Sequence, residues 1–381
     1  MNTLRQCWII SLIALRSLPA RRWTGLVIVA GMAIVVGVLL SMLSVSEGLA
    51  RASLLGKSPA DVIVLPRDTG AIDRSWVGTI ADAPGVARRS TDGAPLADAE
   101  VNFQPPPIEG FVSGSLQLEG FGPMGFAIRP RLRILAGRAF RPGAQEAIAG
   151  AAAAKRFGLR VGSTISMPGG PWPIVGIFAD QESLIENSLV ADAETILSSL
   201  RRKGFNVVLL RLVDASAFPG FRDWVSSNPA LSVTVRTQQE QALTGARRSM
   251  SFFTQMAYVI GAIMALGAMF GAVKIMYAAV RTRTRELGTL RALGFGPAAV
   301  AASVLLEAAI LALTGALLGA AIAWVIFEGR EIYVWAVFKL HLPLALVAMA
   351  LAWSVGIAVL SGVFPALRAA RMPTADALRA D

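Results

Sequence analysis

Four apolar runs, 24–45, 252–273, 300–327 and 344–364, constrain this chain more than any other feature. Each reaches the roughly 20 mainly apolar residues that a helix needs to cross the hydrocarbon of a bilayer. Segment 46–250, between the first two runs, has an ordinary mixed composition. With 54% hydrophobic and 16% charged residues, the 381-residue chain is too apolar for an ordinary soluble protein and too polar to lie in lipid throughout. The expected fold is an α-helical membrane protein with four transmembrane helices and a large α/β extracytoplasmic domain inserted between helices 1 and 2.

Charge sets the orientation. Arg5, Arg16, Arg21 and Arg22 precede the first run, Arg281, Arg283, Arg285 and Arg291 lie between the second and third, and Arg368, Arg371 and Arg379 follow the fourth. The connection 328–343 carries only Arg330 and Lys339, balanced by Glu328 and Glu331. Positive residues mark the cytoplasmic side, so both termini are expected there, in the cell inner membrane, with 46–250 in the periplasm. The net charge of +11 raises the question of nucleic acid. The arginines cluster where apolar runs end, and no zinc, RNP-like or helix-turn-helix pattern accompanies them, so no nucleic-acid partner is expected. The first run exceeds the roughly 7 to 15 residues of a signal-peptide core and reads as an uncleaved anchor.

The chain is expected to divide into an amphipathic elbow at 1–23, spans at 24–45, 251–280, 300–327 and 344–364, a periplasmic domain at 46–250, a cytoplasmic segment at 281–299, a short periplasmic loop at 328–343 and a cytoplasmic tail at 365–381. Polar helical stretches at 46–55 and 237–250 continue the first two runs without an intervening proline, which predicts a helical stalk. Within the domain, a strand at 61–65, a helix around 73–83 and a strand from Val86 mirror a strand, helix and strand at 207–213, 215–226 and 231–236. Such units at opposite ends of one insertion predict a split β-α-β subdomain. The Gly- and Pro-rich interval between them, with short alternating runs at 164–167 and 173–178, predicts a mainly β subdomain.

Motifs for chemistry are few. Cys7 and His341 are the only residues of their kinds, so the chain holds no internal disulfide, no histidine-based metal site and no histidine triad. Gly56-Lys57-Ser58 has Arg51 where a phosphate-binding loop needs its first glycine. Gly120-Phe121-Gly122-Pro123-Met124-Gly125 fits a dinucleotide fingerprint in spacing, but Pro123 interrupts it and 126–130 is not expected to open a helix. Asp180, Glu182 and Glu186 read as a solvated acidic loop. No catalytic residue, metal or cofactor is assigned.

Three features carry expectations about the membrane part. Leu287, Leu290 and Leu293 form one apolar stripe among arginines, ended by Gly294-Phe295-Gly296-Pro297, a short cytoplasmic helix suited to being gripped by another protein. Gly267 with Gly271, and Gly315 with Gly319, give two G-x-x-x-G faces for close helix packing, within one chain or between two. Lys274 and Glu307 lie at similar depth, which predicts an intramembrane ion pair.

Several segments in order resemble one family. Arg285-Glu286-Leu287-Gly288-Thr289-Leu290-Arg291 resembles the coupling segment of FtsX/MacB-type permeases, membrane subunits of ATP-binding-cassette (ABC) systems. Leu15-Arg16-Ser17-Leu18 resembles the family's entry segment, and Asp61-Val62-Ile63-Val64-Leu65 the first strand of its periplasmic domain. Gly137-Arg138-Ala139-Phe140, Glu146-Ala147-Ile148-Ala149-Gly150, Gly158-Leu159-Arg160-Val161-Gly162 and Ile174-Val175-Gly176-Ile177-Phe178 resemble its central β subdomain. Pro365-Ala366-Leu367-Arg368-Ala369-Ala370-Arg371, with Pro373 and Ala377-Leu378-Arg379, is similar to its C-terminal signature. The resemblance implies a permease that binds no nucleotide itself. Arg285, Glu286, Leu287, Leu290 and Arg291 would lie at the contact with a cytoplasmic ABC ATPase dimer, and that dimer would bind ATP and Mg. It further implies a second permease subunit, identical or homologous, a periplasmic adaptor or carrier protein, and mechanotransmission that exports or extracts a substrate. The alternative is a transmembrane signalling subunit that activates a periplasmic cell-wall hydrolase without transport.

Overall fold

The computed structural model describes residues 22–68, 70–103, 116–167, 169–282, 284, 288–289, 295–334 and 336–371. They form two compact units. One consists of Gly48–Ser249 with Glu331–Lys339, and the other of the described residues up to Glu47, Met250–Arg330 and those from Leu340 onward.

Four long helices, α1 (Arg22–Leu54), α2 (Gln238–Thr282), α3 (Pro297–Phe327) and α4 (Leu344–Arg371), are long and apolar enough to cross a membrane. α3 begins where an extended Gly296 hands over to Pro297, whose fixed φ suits a first helical turn and whose missing N–H is no loss there. Its interior face is made of small residues: Ala308, Ala312, Ala316, Ala320 and Ala323 are buried, while Leu306, Leu313, Leu317, Ile322 and Trp324 are exposed. In water that order inverts, because leucine gains most by burial. In lipid, leucine gains nothing by leaving the hydrocarbon, and small residues gain close backbone approach. Alanine inside and leucine outside is therefore a bilayer's signature, and the chain is a multi-pass membrane protein. Val36 and Leu40 of α1 pack with Ala316 and Ala320 of α3 and Ala350 of α4, and Met276 and Val280 of α2 pack with Val300 and Val304 of α3.

The other unit is built on a mixed sheet. Its strands are β1 (Asp61–Pro66), β2 (Ala97–Phe103), β3 (Gln117–Phe121), β4 (Arg133–Gly137), β5 (Ala147–Gly150), β6 (Thr164–Met167), β7 (Gly170–Ala179), β8 (Ser188–Asp192), β9 (Val207–Arg211) and β10 (Val233–Thr237). The order is β10-β1-β9-β2-β3-β8-β5-β7-β4, with β6 on β7. β1 runs antiparallel between β9 and β10, and the helix Phe218–Ser227 connects those two, giving the split β-α-β arrangement read from the sequence. Alternation in β1 sends Val62 and Val64 into the core with Ile80, Phe221 and Val225. β2 serves both halves: Ala97–Glu100 pair with β9 and Val101–Phe103 with β3.

Three local expectations are corrected. No strand begins at Val86; it makes a single bridge to Leu212, after Gly85 turns the chain at φ +85°, and residues 89–94 fold back through Gly93 N–H to Arg89 O and Arg89 N–H to Ala94 O. One helical turn does form at Gly125–Ile128, ending at Arg129 before Pro130. The connection 328–343 contains a hairpin, β11 (Glu331–Tyr333) with β12 (Val337–Lys339), too short to announce itself by alternation.

Candidate functional site

Arg285, Glu286, Leu287, Leu290 and Arg291 lie outside the described residues. The glycine pairs part company. A Cβ on Gly315 would lie 2.4 Å from Val29 O, and one on Gly319 2.3 Å from Ala33 O, so this pair is the seam of α3 with α1 inside one chain. Gly267 and Gly271 have nothing within 4 Å of such a Cβ. They line a small cavity of about 210 Å³ with Gly31, Met32, Ala312 and Ala358.

Lys274 and Glu307 form no ion pair with each other, contrary to the expectation. α2 meets α3 through Met276 and Val280, and two residues before Met276 is a rotation of about 200° around a helix. Lys274 therefore lies exposed on the far flank, while Glu307 is half-buried on α3.

The extracytoplasmic unit holds a concentration of buried charge that the sequence analysis missed. Asp98, Glu100 and Asn102 alternate along one face of β2, with Glu119 opposite Asn102 on β3. Arg129, at the end of the single helical turn, grips Glu100 with both terminal nitrogens at 2.5 and 2.9 Å and lies 4.2 Å over the Phe121 ring. Bidentate geometry and ring stacking are what guanidinium supplies and an ammonium does not. Arg211 donates from Nε to Asp61 at 2.7 Å and from Nη2 to Ile128 O at 2.9 Å. Asp98, 1% exposed, accepts from the amides of Gly122 and Met124 at 2.9 and 2.8 Å. That holds the glycine-rich loop as a structural turn. Burial, reinforced by the Glu100 carboxylate, pushes the Asp98 carboxyl up to about 7 in spite of those amides.

Asp61, Glu100, Asn102, Glu119 and Arg129 border a cavity of about 370 Å³, walled by β1, β2, β3 and β9, by the end of α1 and the start of α2, and by the loop after β7. Lys57 enters it from the end of α1, where Gly56 takes φ +81° and Lys57 Nζ donates to Ser53 O at 2.6 Å. The Gly-Lys-Ser triplet is thus a helix C-terminus and its cap. Burial lowers the Lys57 ammonium against the pull of Glu119. Burial raises Glu119 to about 7, with Arg129 opposing and Glu100 adding to the rise; its Oε1 accepts from Ser188 Oγ at 3.2 Å.

Of the acidic loop, Glu182 is exposed as expected, whereas Asp180 and Glu186 are not. Asp180 and Glu186 are 6% and 8% exposed. Glu186 Oε1 accepts from the amides of Asp180 and Glu182 at 2.7 and 2.8 Å, which holds Gln181 and Glu182 at φ 51° and 63°. Asp180 Oδ2 accepts from Ser183 Oγ at 2.7 Å. The same loop clasps the hairpin between α3 and α4. Asn187 Nδ2 donates to Val337 O at 3.0 Å and its Oδ1 accepts from Val337 N at 2.6 Å, like an added strand residue. Lys339 pairs with Glu182, Lys155 pairs with Glu331 at 3.0 Å, and the Arg156 guanidinium stacks 3.6 Å over the Tyr333 ring. The described residues contain no group of three or more His, Cys, Asp or Glu arranged to hold a metal ion.

Residues 26–250 match the family model described as MacB-like periplasmic core domain, and residues 258–374 that described as FtsX-like permease C-terminal. The macrolide export ATP-binding/permease protein MacB of Photorhabdus laumondii subsp. laumondii is 27% identical over 237 residues, 57% of this chain and 35% of that protein. The protein of the same description from Rhodopirellula baltica is 33% identical over 133 residues, 32% of this chain and 19% of that one. The chain therefore covers 35% or less of the length of these relatives. The crystal structure of the periplasmic region of MacB from Actinobacillus actinomycetemcomitans aligns at TM-score 0.39 and 13% identity, over 50% of this chain and 94% of that one. With one family model spanning more than half of the sequence and the second following it toward the C-terminus, this chain belongs to the FtsX- and MacB-like permease family.

Proposed function

We propose that the protein is the membrane subunit of an ABC transporter, in which a cytoplasmic ATPase dimer docks on the segment containing Arg285, Glu286, Leu287, Leu290 and Arg291. ATP-driven movement of the spans is transmitted to the extracytoplasmic domain, which exports or extracts a substrate from the inner membrane or periplasm. A second permease subunit and a periplasmic adaptor or carrier complete the assembly.

The observation that carries this reading is the continuity of α1 and α2, 33 and 45 residues long. A bilayer needs only about 20. Helices running unbroken from the apolar segments into the extracytoplasmic unit carry displacement that a flexible linker would dissipate. The hairpin held by Asn187 adds a second connection, since its ends run into α3 and α4. The membrane-facing leucines and small-residue seams support a moving scaffold over a polar conduit, which would need a polar lining.

The test is co-purification and stimulated ATP hydrolysis with the cognate ATPase in lipid nanodiscs. Replacing Leu287 and Leu290 by Asp is expected to abolish both. Retention of full coupled activity by that double variant overturns the reading. Crosslinking the end of α1 to the start of α2 through paired cysteines is expected to block transport while leaving ATPase binding intact.

A further inference from the structure

The domain cavity has a charge imbalance that its own residues do not resolve. Arg129 is taken by Glu100 and Arg211 by Asp61. That leaves Glu119 and Asp180 facing Lys57, whose ammonium is already turned onto Ser53 O, a carbonyl of the negative end of α1. Two carboxylates and a helix C-terminus against one ammonium make the interior electronegative. The rest of the wall mixes uncharged polar groups, Asn102, Gln117, Gln238 and Gln241 among them, with an apolar part formed by Leu49, Ile63, Ile128, Leu184, Val207 and Leu209.

We propose that this cavity binds an amphiphilic organic monocation, an ammonium group on an apolar body, with Glu119 and Asp180 as its counter-charges. A divalent metal is the wrong guest, because the described acidic residues do not converge in threes and hard cations take six or more oxygen ligands. An anion is the wrong guest too, because both guanidiniums are already paired and the one ammonium faces carboxylates. The volume of about 370 Å³ suits a small molecule rather than a folded segment. Leucine and isoleucine walls supply the apolar contact that a bare ammonium ion does not need.

The position gives the site a consequence. Asp180, Ser183 and Leu184 line the cavity, and three residues farther on Asn187 holds the hairpin at Val337. A guest against this loop bears directly on the segment that joins α3 to α4. Binding is read here without any ATPase, so its failure leaves the permease reading untouched.

The experiment is a fluorescence titration of the full chain in nanodiscs with dansylcadaverine, a primary ammonium on an apolar arm, against empty nanodiscs. Dansylamide, the same fluorophore without the ammonium, and anionic dansylglycine are the comparison probes. Saturable binding of the cationic probe is expected, weakened about tenfold or more by Glu119→Gln, which removes one of its two counter-charges. Asp180→Asn is expected to weaken it in the same direction, and Ala242→Phe, which fills the cavity, to abolish it. Wild-type binding is expected to tighten between about pH 6 and 8 as Glu119 loses its proton, and to lose most of that dependence in Glu119→Gln. Affinity unchanged in Glu119→Gln and Ala242→Phe, binding no greater than to empty nanodiscs, or tighter binding of dansylglycine than of dansylcadaverine each overturns the proposal.

Discussion

Replacing Gly315 and Gly319 by Ala, singly and together, reads the α1–α3 seam directly. An added Cβ would stand 2.4 Å from Val29 O and 2.9 Å from Met32 Cβ at position 315, and 2.3 Å from Ala33 O and 2.9 Å from Ala33 Cα at position 319. Ordinary contact begins at 3.4 Å, so the seam must open by about 1 Å, a gap that forfeits a quarter to a half of each dispersion contact across it. The closest clashing atoms are backbone, which no rotamer change removes. Overpacking of this kind costs about 1–3 kcal/mol, offset by the roughly 0.8–1 kcal/mol that Ala gains over Gly in a helix. Each single variant is therefore expected to lose up to about 2 kcal/mol. The two sites sit one turn apart on one seam, so a single opening relieves both clashes and the double variant is expected to lose clearly less than the sum. Gly267→Ala and Gly271→Ala, with open space at the Cβ, are expected to be neutral or slightly stabilising. Equilibrium unfolding of the purified chain in a fixed detergent measures all of these, with crosslinking between cysteines on α1 and α3 as a second readout. Unchanged stability at 315 and 319 together with losses at 267 and 271 would place the close approach on α2 and refute the reasoning.

Asn187→Ala removes both hydrogen bonds to Val337 and is expected to raise hydrogen exchange of the 331–339 amides about tenfold, since paired bonds of this kind contribute about 1–3 kcal/mol together; unchanged protection would show that the flanking ion pairs hold the hairpin alone. Arg129→Met leaves Glu100 buried and uncompensated and is expected to cost about 3–5 kcal/mol, whereas Arg129→Met with Glu100→Met restores most of it; equal losses in both, measured by thermal unfolding, would contradict that account. Asp98, ordinarily near 3.8, titrates at about 7 in the fold, so between those values the folded state keeps a proton that the unfolded chain has lost. Stability is therefore expected to fall as pH rises across that window, with Glu119 contributing in the same direction. Asp98→Asn is expected to flatten the slope, and an unchanged pH profile would show that Asp98 stays ionised.

How far the sequence speaks depends on the range over which each feature is decided. The spans are legible because length and apolarity alone decide them, and the split β-α-β unit because each strand and helix carries its own period. The expected pairing of Lys274 with Glu307 rests on depth, and depth says nothing about rotation around the helix axis. Met276 and Val280 set that rotation and carry Lys274 away from α3. The glycine pairs have identical spacing, and only the partner helix distinguishes a seam from an open groove.

The cavity exposes a deeper limit of local reading. Asp98, Glu100 and Asn102 alternate with Ala97, Ala99 and Val101, the usual signature of a strand with one face in water. Asp98 and Glu100 are 1% and 2% exposed: the Gly122–Met124 loop closes over Asp98, and Glu100 shares its cavity with Leu49, Ser53, Gln241 and Ala246 from the end of α1 and the start of α2. Strand alternation tells which side chains share a face, and it cannot tell whether water or another element covers that face. One local sign was present: polar residues at alternate positions included two carboxylates close together, and such a pair is costly unless solvated or neutralised. Arg129, held at the end of a single turn between Gly125 and Pro130, neutralises one of them. Glu119, one strand away, feels Arg129 only at a distance, since among the described residues the guanidinium's carboxylate bonds go to Glu100, and that asymmetry gives the cavity its charge.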